Sequence, residues 1–192
     1  MTDTWDQEAA RVAAARSGDG QAFAALVAGL RDRVYRFVLR QVPRAEDAED
    51  LTQETFLEAY RSLARFRGES RFSTWVLGIA LNLARNHRSR RPEYRYRMVS
   101  DEALGGLADP AAGPHEDSRT AALARALDAG LAALPGDQRE ALTLVALDGL
   151  SYAEAAQVLD LPLGTVKTRV FRARAALKAG MEATGTFDLF TP

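Results

Sequence analysis

Apolar residues in this chain recur three and four positions apart, and no stretch alternates Val, Ile, Thr and aromatics at period two. That spacing lines up one face of an α-helix and scatters the same residues over both faces of a strand. The expected fold class is therefore all-α. A short helix near 8–16 stops at Ser17-Gly18, and Asp19 is placed to cap a longer one. Its stripe of Phe23, Leu26, Val27, Leu30, Val34, Phe37 and Val38 ends before Pro43. A third helix opens among Glu46, Asp47, Glu49 and Asp50, where carboxylates suit the positive end of the helix dipole, and runs through Phe56, Ala59 and Leu63 to about Phe66. After the turn Arg67-Gly68-Glu69-Ser70, either Ser70 or Ser73 caps a fourth helix, which holds Trp75, Ile79 and Leu83 and runs to Pro92.

From Ser100 to about Ser118 the composition changes to Ala, Gly, Pro and acid, with almost no large apolar residue to bury. Such a segment reads as a flexible linker. Periodicity returns with Leu123, Leu127, Leu131 and Leu134. Pro135-Gly136 breaks that helix, and the next runs through Leu142 and Val145 to Gly149, a C-cap. Ser151-Tyr152-Ala153-Glu154 matches a capping box and opens a short helix. Pro162 and Gly164 then precede a last helix with Val166, Val170, Ala173 and Leu177 on one seam. Two short helices across such a turn make a helix-turn-helix. The expected architecture is two small helical domains: 1–97, a linker over 98–118, a second domain over 119–180, and a tail over 181–192 without helical periodicity.

The remaining composition excludes several function classes. At 192 residues and 47% hydrophobic, the chain can bury two modest cores, which excludes disorder throughout. Cysteine is absent, so disulfides, thiolate metal sites and a Cys nucleophile are excluded. Met1 to Gln7 is polar, and no apolar run approaches the ~20 residues that span a bilayer. A cytoplasmic chain without membrane insertion is expected. The 25 basic and 26 acidic residues balance to a net charge of -1, so nucleic acid can be held only where charge is segregated. His87 and His115, the only histidines, fall on opposite sides of the domain boundary, which makes a His-based metal site or acid/base pair an unexpected one.

Charge is segregated in three places. On the last helix, Thr165, Thr168 and Arg172 lie opposite the apolar seam, flanked by Lys167, Arg169, Phe171 and Arg174. The N-terminal part of such a helix enters the major groove, where Arg pairs bidentately with guanine. The plainer reading is a solvated basic face. On the fourth helix, Arg85, His87, Arg88, Arg90 and Arg91 are followed by Tyr94, Arg95, Tyr96 and Arg97, and guanidinium groups interleaved with aromatics suit phosphate contact and base stacking. The third place is the acidic run Glu46, Asp47, Glu49, Asp50, Glu54 and Glu58. It admits three readings: a surface that docks a basic partner, a solvated face, or a divalent-cation site for a phosphohydrolase.

The segments 47–56, 66–75, Leu134-Pro135, 150–154 and 164–169, in this order and across such a linker, resemble the extracytoplasmic-function sigma factors of the sigma-70 family, over about residues 19 to 179. The resemblance implies an initiation subunit of bacterial RNA polymerase that is not an enzyme and needs no cofactor or metal. By that likeness Asp47, Asp50, Gln53, Glu54 and Phe56 dock on the clamp helices of the largest polymerase subunit, and the polymerase flap is a further implied contact. Phe66, Arg67, Trp75 and Asn82 hold a base flipped from the melted minus-ten element of promoter DNA, and Arg85, Arg88, Arg90 and Arg91 steady the backbone. Thr165, Lys167, Thr168, Arg169, Phe171, Arg172 and Arg174 read the minus-thirty-five element as duplex. An anti-sigma factor is a further implied partner. Trp75 stands on the inner seam of its helix and is open to both core and DNA readings. Two rivals remain: a stand-alone helix-turn-helix regulator, which binds duplex tightly without polymerase, and a metal-dependent hydrolase on the acidic helix.

Overall fold

The structure, a computed structural model, describes residues 3–90, 117–183 and 185. Eight α-helices make up the described chain, and there is no strand among the described residues. Helices α1 (Asp3–Arg16), α2 (Gly20–Leu39), α3 (Ala45–Ser62) and α4 (Phe72–Arg90) pack as one bundle. Helices α5 (Asp117–Ala133), α6 (Gly136–Leu142), α7 (Tyr152–Leu159) and α8 (Leu163–Ala183) form a second.

The first bundle closes over the stripe read from α2. Leu26, Val34, Phe37 and Val38 are buried against Ala48, Leu51, Phe56 and Ala59 of α3 and Val76, Leu77, Ala80 and Leu81 of α4. Asp19 caps α2 as expected, accepting from the N–H groups of Gln21 and Ala22. The cap expected on α4 is different. Ser73 is buried inside the helix and the Ser70 hydroxyl turns to the Arg71 carbonyl. The free N–H of Phe72 is instead met by Glu8 Oε1 at 2.9 Å, from α1. Helix α1 also begins earlier than its periodicity suggested, at Asp3.

In the second bundle Leu131, Leu134, Leu142, Leu144, Leu159, Val166 and Val170 are buried. Between α6 and α7 the chain widens into a π-helical turn, Thr143–Leu147, closed by Asp148 and by Gly149 at φ +65°. The capping box at Ser151 is complete: Glu154 N–H donates to Ser151 Oγ and Ser151 N–H to Glu154. Asp160 ends α7 in the left-handed region, at φ 54° and ψ 53°. Helix α8 continues past the expected end of the domain to Ala183, because Met181 extends the seam four residues beyond Leu177 and is buried. The segment read as linker lies outside the described residues up to 116, and its last two residues open α5; the tail beyond 185 and the tract Arg91 to Arg97 are also outside them.

Candidate nucleic-acid interface

Helix α8 turns Val166, Val170 and Ala173 into the core with no exposure, which fixes its opposite face outward. Lys167, Thr168, Phe171, Arg172 and Arg174 are exposed, Phe171 at 74%. Thr165 is half-buried, and with Thr168, Arg169 and Arg172 it lines a recess of about 590 Å³ beside α6. Two members of the face are already engaged within the chain. Arg169 pairs with Asp137 at 3.3 Å, and the Thr168 hydroxyl donates to the Gly164 carbonyl.

On α3 the acidic set divides. Asp50, Gln53 and Glu54 are exposed on one face, whereas Phe56 is a core residue at 8% exposure and Asp47 is buried 3.4 Å from His87 Nε2. Both follow from helical phase: 47, 51, 55 and 59 lie on the buried side of α3, which packs on α2 and α4, as does 56. Leu57, 48% exposed, completes the outward face at positions i, i+3, i+4 and i+7 from Asp50. Sequence reading passed over it, although that spacing was the signal. Among the described residues no three His, Asp or Glu side chains converge as metal ligands would.

The turn 66–71 and α4 carry the other predicted set. Phe66, Phe72 and Trp75 stack as a tilted aromatic cluster, with the Trp75 ring 5.1 Å from Phe66 and 5.6 Å from Phe72. Phe66 is buried behind it, while Arg67 is exposed beside Gly68, whose φ of +75° makes the turn a glycine position. Trp75 is a partly buried residue packed against the core. It packs on the aromatic cluster and also lines a groove of about 670 Å³ with Ser70, Asn82 and Arg85. The far wall of that groove is α7, through Gln157 and Asp160.

The arginines do not stand free. Arg85 and Arg88 both reach Glu140 of α6, at 2.7 Å and 2.5 Å, and Arg88 also donates to the Gln41 carbonyl at 3.0 Å. Arg90 is exposed. Three further carboxylates of the second bundle meet arginines of the first: Asp128 with Arg40 at 3.7 Å, Asp148 with Arg33 at 3.5 Å, and Glu154 with Arg71 at 4.0 Å. Burial pushes the Asp148 carboxyl up to about 6, against the pull of Arg33, Arg40 and Arg36. Burial also raises Asp128 despite Arg40. At Glu154 burial acts in the same direction but is outweighed by hydrogen bonds from Ser151 and by Arg71, which leave the carboxyl below its ordinary value. Neighbouring Arg139, which donates to the carbonyls of Ala132 and Leu134, is lowered to about 10 by burial and by Arg88.

The described residues make two helical bundles, the second a helix-turn-helix whose polar and aromatic face is turned outward, and that defines a class by fold alone; comparison places the chain more finely. The family model for Sigma-70 region 2 matches residues 26–92, and that for Sigma-70, region 4 matches residues 124–177. The RNA polymerase sigma-H factor of Pseudomonas aeruginosa is 36% identical over 93% of this chain and 96% of its own length. The ECF RNA polymerase sigma-E factor of Escherichia coli is 39% identical over 84% of this chain and 87% of its own. The chain belongs to the extracytoplasmic-function sigma factors of the sigma-70 family. Among solved structures, CnrH in complex with the cytosolic domain of CnrY superposes with a TM-score of 0.70 at 30% identity, covering 92% of this chain and 98% of that one. The sigma factor RpoE bound to the anti-sigma factor NepR from Bartonella quintana gives 0.66 at 25% identity, covering 83% and 96%. No helix among the described residues is long and apolar enough to cross a membrane.

Proposed function

We propose that this chain binds core RNA polymerase in the cytoplasm and directs promoter recognition, strand opening and transcription initiation, without itself making or breaking a bond. The bounds we assign are 1–97 for the polymerase-docking and minus-ten domain, 98–116 for the linker, 117–183 for the minus-thirty-five domain and 184–192 for the tail. The outward face of α3, with Asp50, Gln53, Glu54 and Leu57, docks on the clamp helices; Asp47 and Phe56 hold that helix in place from within. Helix α8 presents Lys167, Thr168, Phe171 and Arg172 to the duplex upstream. The turn with Arg67, together with Trp75 and Asn82 on α4, receives an extruded base of the minus-ten strand, while Arg85, Arg88, Arg90 and Arg91 hold its phosphates. Unstacking a step costs a few kcal/mol, and stacking on an aromatic ring returns about 1–3 kcal/mol per base. An anti-sigma protein is the expected inhibitor.

The observation that carries this reading is α8, which buries Val166, Val170 and Ala173 and leaves its polar and aromatic face outward. In vitro transcription with purified core polymerase on a genomic fragment library tests it. Discrete start sites that depend on added chain are expected. Transcripts indifferent to the chain, or tight duplex binding by the chain alone, contradict it.

A further inference from the structure

We propose that Glu8, on the first helix, is a positioning residue for the extruded base: by accepting the Phe72 N–H it sets where α4 begins, and with it the turn 66–71 and the Trp75 ring that receive the base. The inference rests on the reading of that turn and of Trp75 as the base site, and adds to it a residue that touches no DNA. The leading N–H groups of a helix have no partner within it. At α4 the two nearby serines do not supply one, since the Ser70 hydroxyl donates to the Arg71 carbonyl and Ser73 lies buried within the helix. Glu8 Oε1 takes the Phe72 N–H at 2.9 Å, from 64 positions away. A hydrogen bond to a charged acceptor is the stronger kind, and the carboxylate also stands at the positive end of the α4 dipole.

Both ends of this bond are anchored. Glu8 shares a face of α1 with Val12 and Ala15, at i, i+4 and i+7, and the burial of those two seats the helix on the bundle. Buried Phe72 meets Phe66 edge to face, ring centroids 5.7 Å apart, and lies 5.6 Å from the Trp75 ring. The Trp75 N–H donates to the Arg71 carbonyl, so the first turn of α4 carries that ring directly. Between α1 and the turn, however, a space of about 160 Å³ remains, lined by Glu8, Val12, Phe66, Arg67, Gly68 and Phe72. Packing alone therefore does not fix the turn, whose Gly68 sits at φ +75° and whose exposed Arg67 meets only its neighbour Glu69, at 3.8 Å. A loop left free must be ordered when its ligand arrives, and that entropy is subtracted from binding. The Glu8 bond orders the turn beforehand. A residue acting in this way governs how well a base is received once the promoter is held, and leaves the duplex contacts of α8 alone.

The test uses the full chain with core polymerase on a promoter recovered from the fragment library, with 2-aminopurine in the minus-ten strand to report unstacking. Opening rates are measured against the concentration of polymerase-bound chain. Glu8→Ala is expected to lower the saturating rate by about threefold to fivefold, the scale of one lost cap, with the half-saturating concentration within about twofold of the parent. Its preference for the favoured base at the extruded position should shrink by a similar factor. Asp19→Ala is the matched control: it removes the α2 cap at a comparable loss of stability, and should leave rate and preference as in the parent. Glu8→Gln, which keeps an acceptor oxygen at the same reach, should restore opening to within about twofold. Equal slowing by Glu8→Ala and Asp19→Ala overturns the proposal, as does Glu8→Ala at the parental rate, or Glu8→Gln as slow as Glu8→Ala. Should Glu8→Ala lose its helical circular dichroism, Glu8→Asp decides, because it keeps the charge and draws the acceptor back by one methylene; parental opening and base preference then overturn the proposal. A parent that opens nothing with core polymerase overturns the base-site reading and this inference with it. A parent that opens, with Asn82→Ala defective and Glu8→Ala unaffected, overturns this inference alone.

Discussion

At the scale of single residues, exposure decides what each side chain is available for. Arg172 is exposed and engaged in no ion pair among those described, so Arg172→Ala should leave stability within about 0.5 kcal/mol while relaxing selectivity at the upstream element by about 1–3 kcal/mol per lost base contact. Competition between promoter variants for the polymerase-bound chain measures the second, and thermal melting the first. Asn82, exposed on the groove, gives the complementary case. Asn82→Ala should impair opening and spare duplex recognition, as read by a fluorescent base in the minus-ten strand. Asp148 is the opposite kind of residue, buried and held near a pKa of about 6 by burial, whereas its ordinary value is 3.8. A carboxyl that is protonated more readily when folded favours the fold below about pH 4, and that contribution fades as pH rises through 6. Asp148→Asn should therefore flatten the pH dependence of stability between pH 4 and 6, by up to about 3 kcal/mol, in denaturant titrations.

At the scale of helices, the sequence was most readable where neighbours in the chain are neighbours in space. The Asp19 cap, the Ser151 capping box and the α8 seam all lie within a few residues of their partners and appear as read. The cap on α4 was not readable, because Glu8 and Phe72 are 64 positions apart. Local logic offered Ser70 and Ser73, while tertiary packing brought a carboxylate to the same N–H. Glu8→Ala should cost about 1 kcal/mol, the usual worth of a lost cap, and Glu8→Gln less. Urea denaturation checks both. The π-helical turn at Thr143–Leu147 also escaped notice, since Val145 fits an ordinary helix and the extra residue shows only in the bonds that close on Asp148 and Leu150. On α3 the heptad-like spacing of Asp50, Gln53, Glu54 and Leu57 was legible in principle, but the family likeness pointed also to Asp47 and Phe56, which the helix turns inward.

At the scale of the molecule, the two domains were visible in sequence and their mutual contact was not. Arg85 and Glu140 are 55 positions apart, Arg33 and Asp148 are 115, and an ion pair leaves no periodicity by which to find it. Arg85 and Arg88, read as phosphate-binding groups, each meet a carboxylate across the domain boundary, and so does Arg33. On the proposed reading the chain contributes recognition and an aromatic socket for the extruded base, and it opens a promoter only together with core polymerase. Permanganate reactivity of unpaired thymines on a promoter fragment, with the chain alone, core polymerase alone and both, tests that directly. Reactivity confined to the mixture, and lost with Asn82→Ala, is the predicted result. Opening by the chain without polymerase, or none with both present on a promoter from which the mixture transcribes, would contradict it.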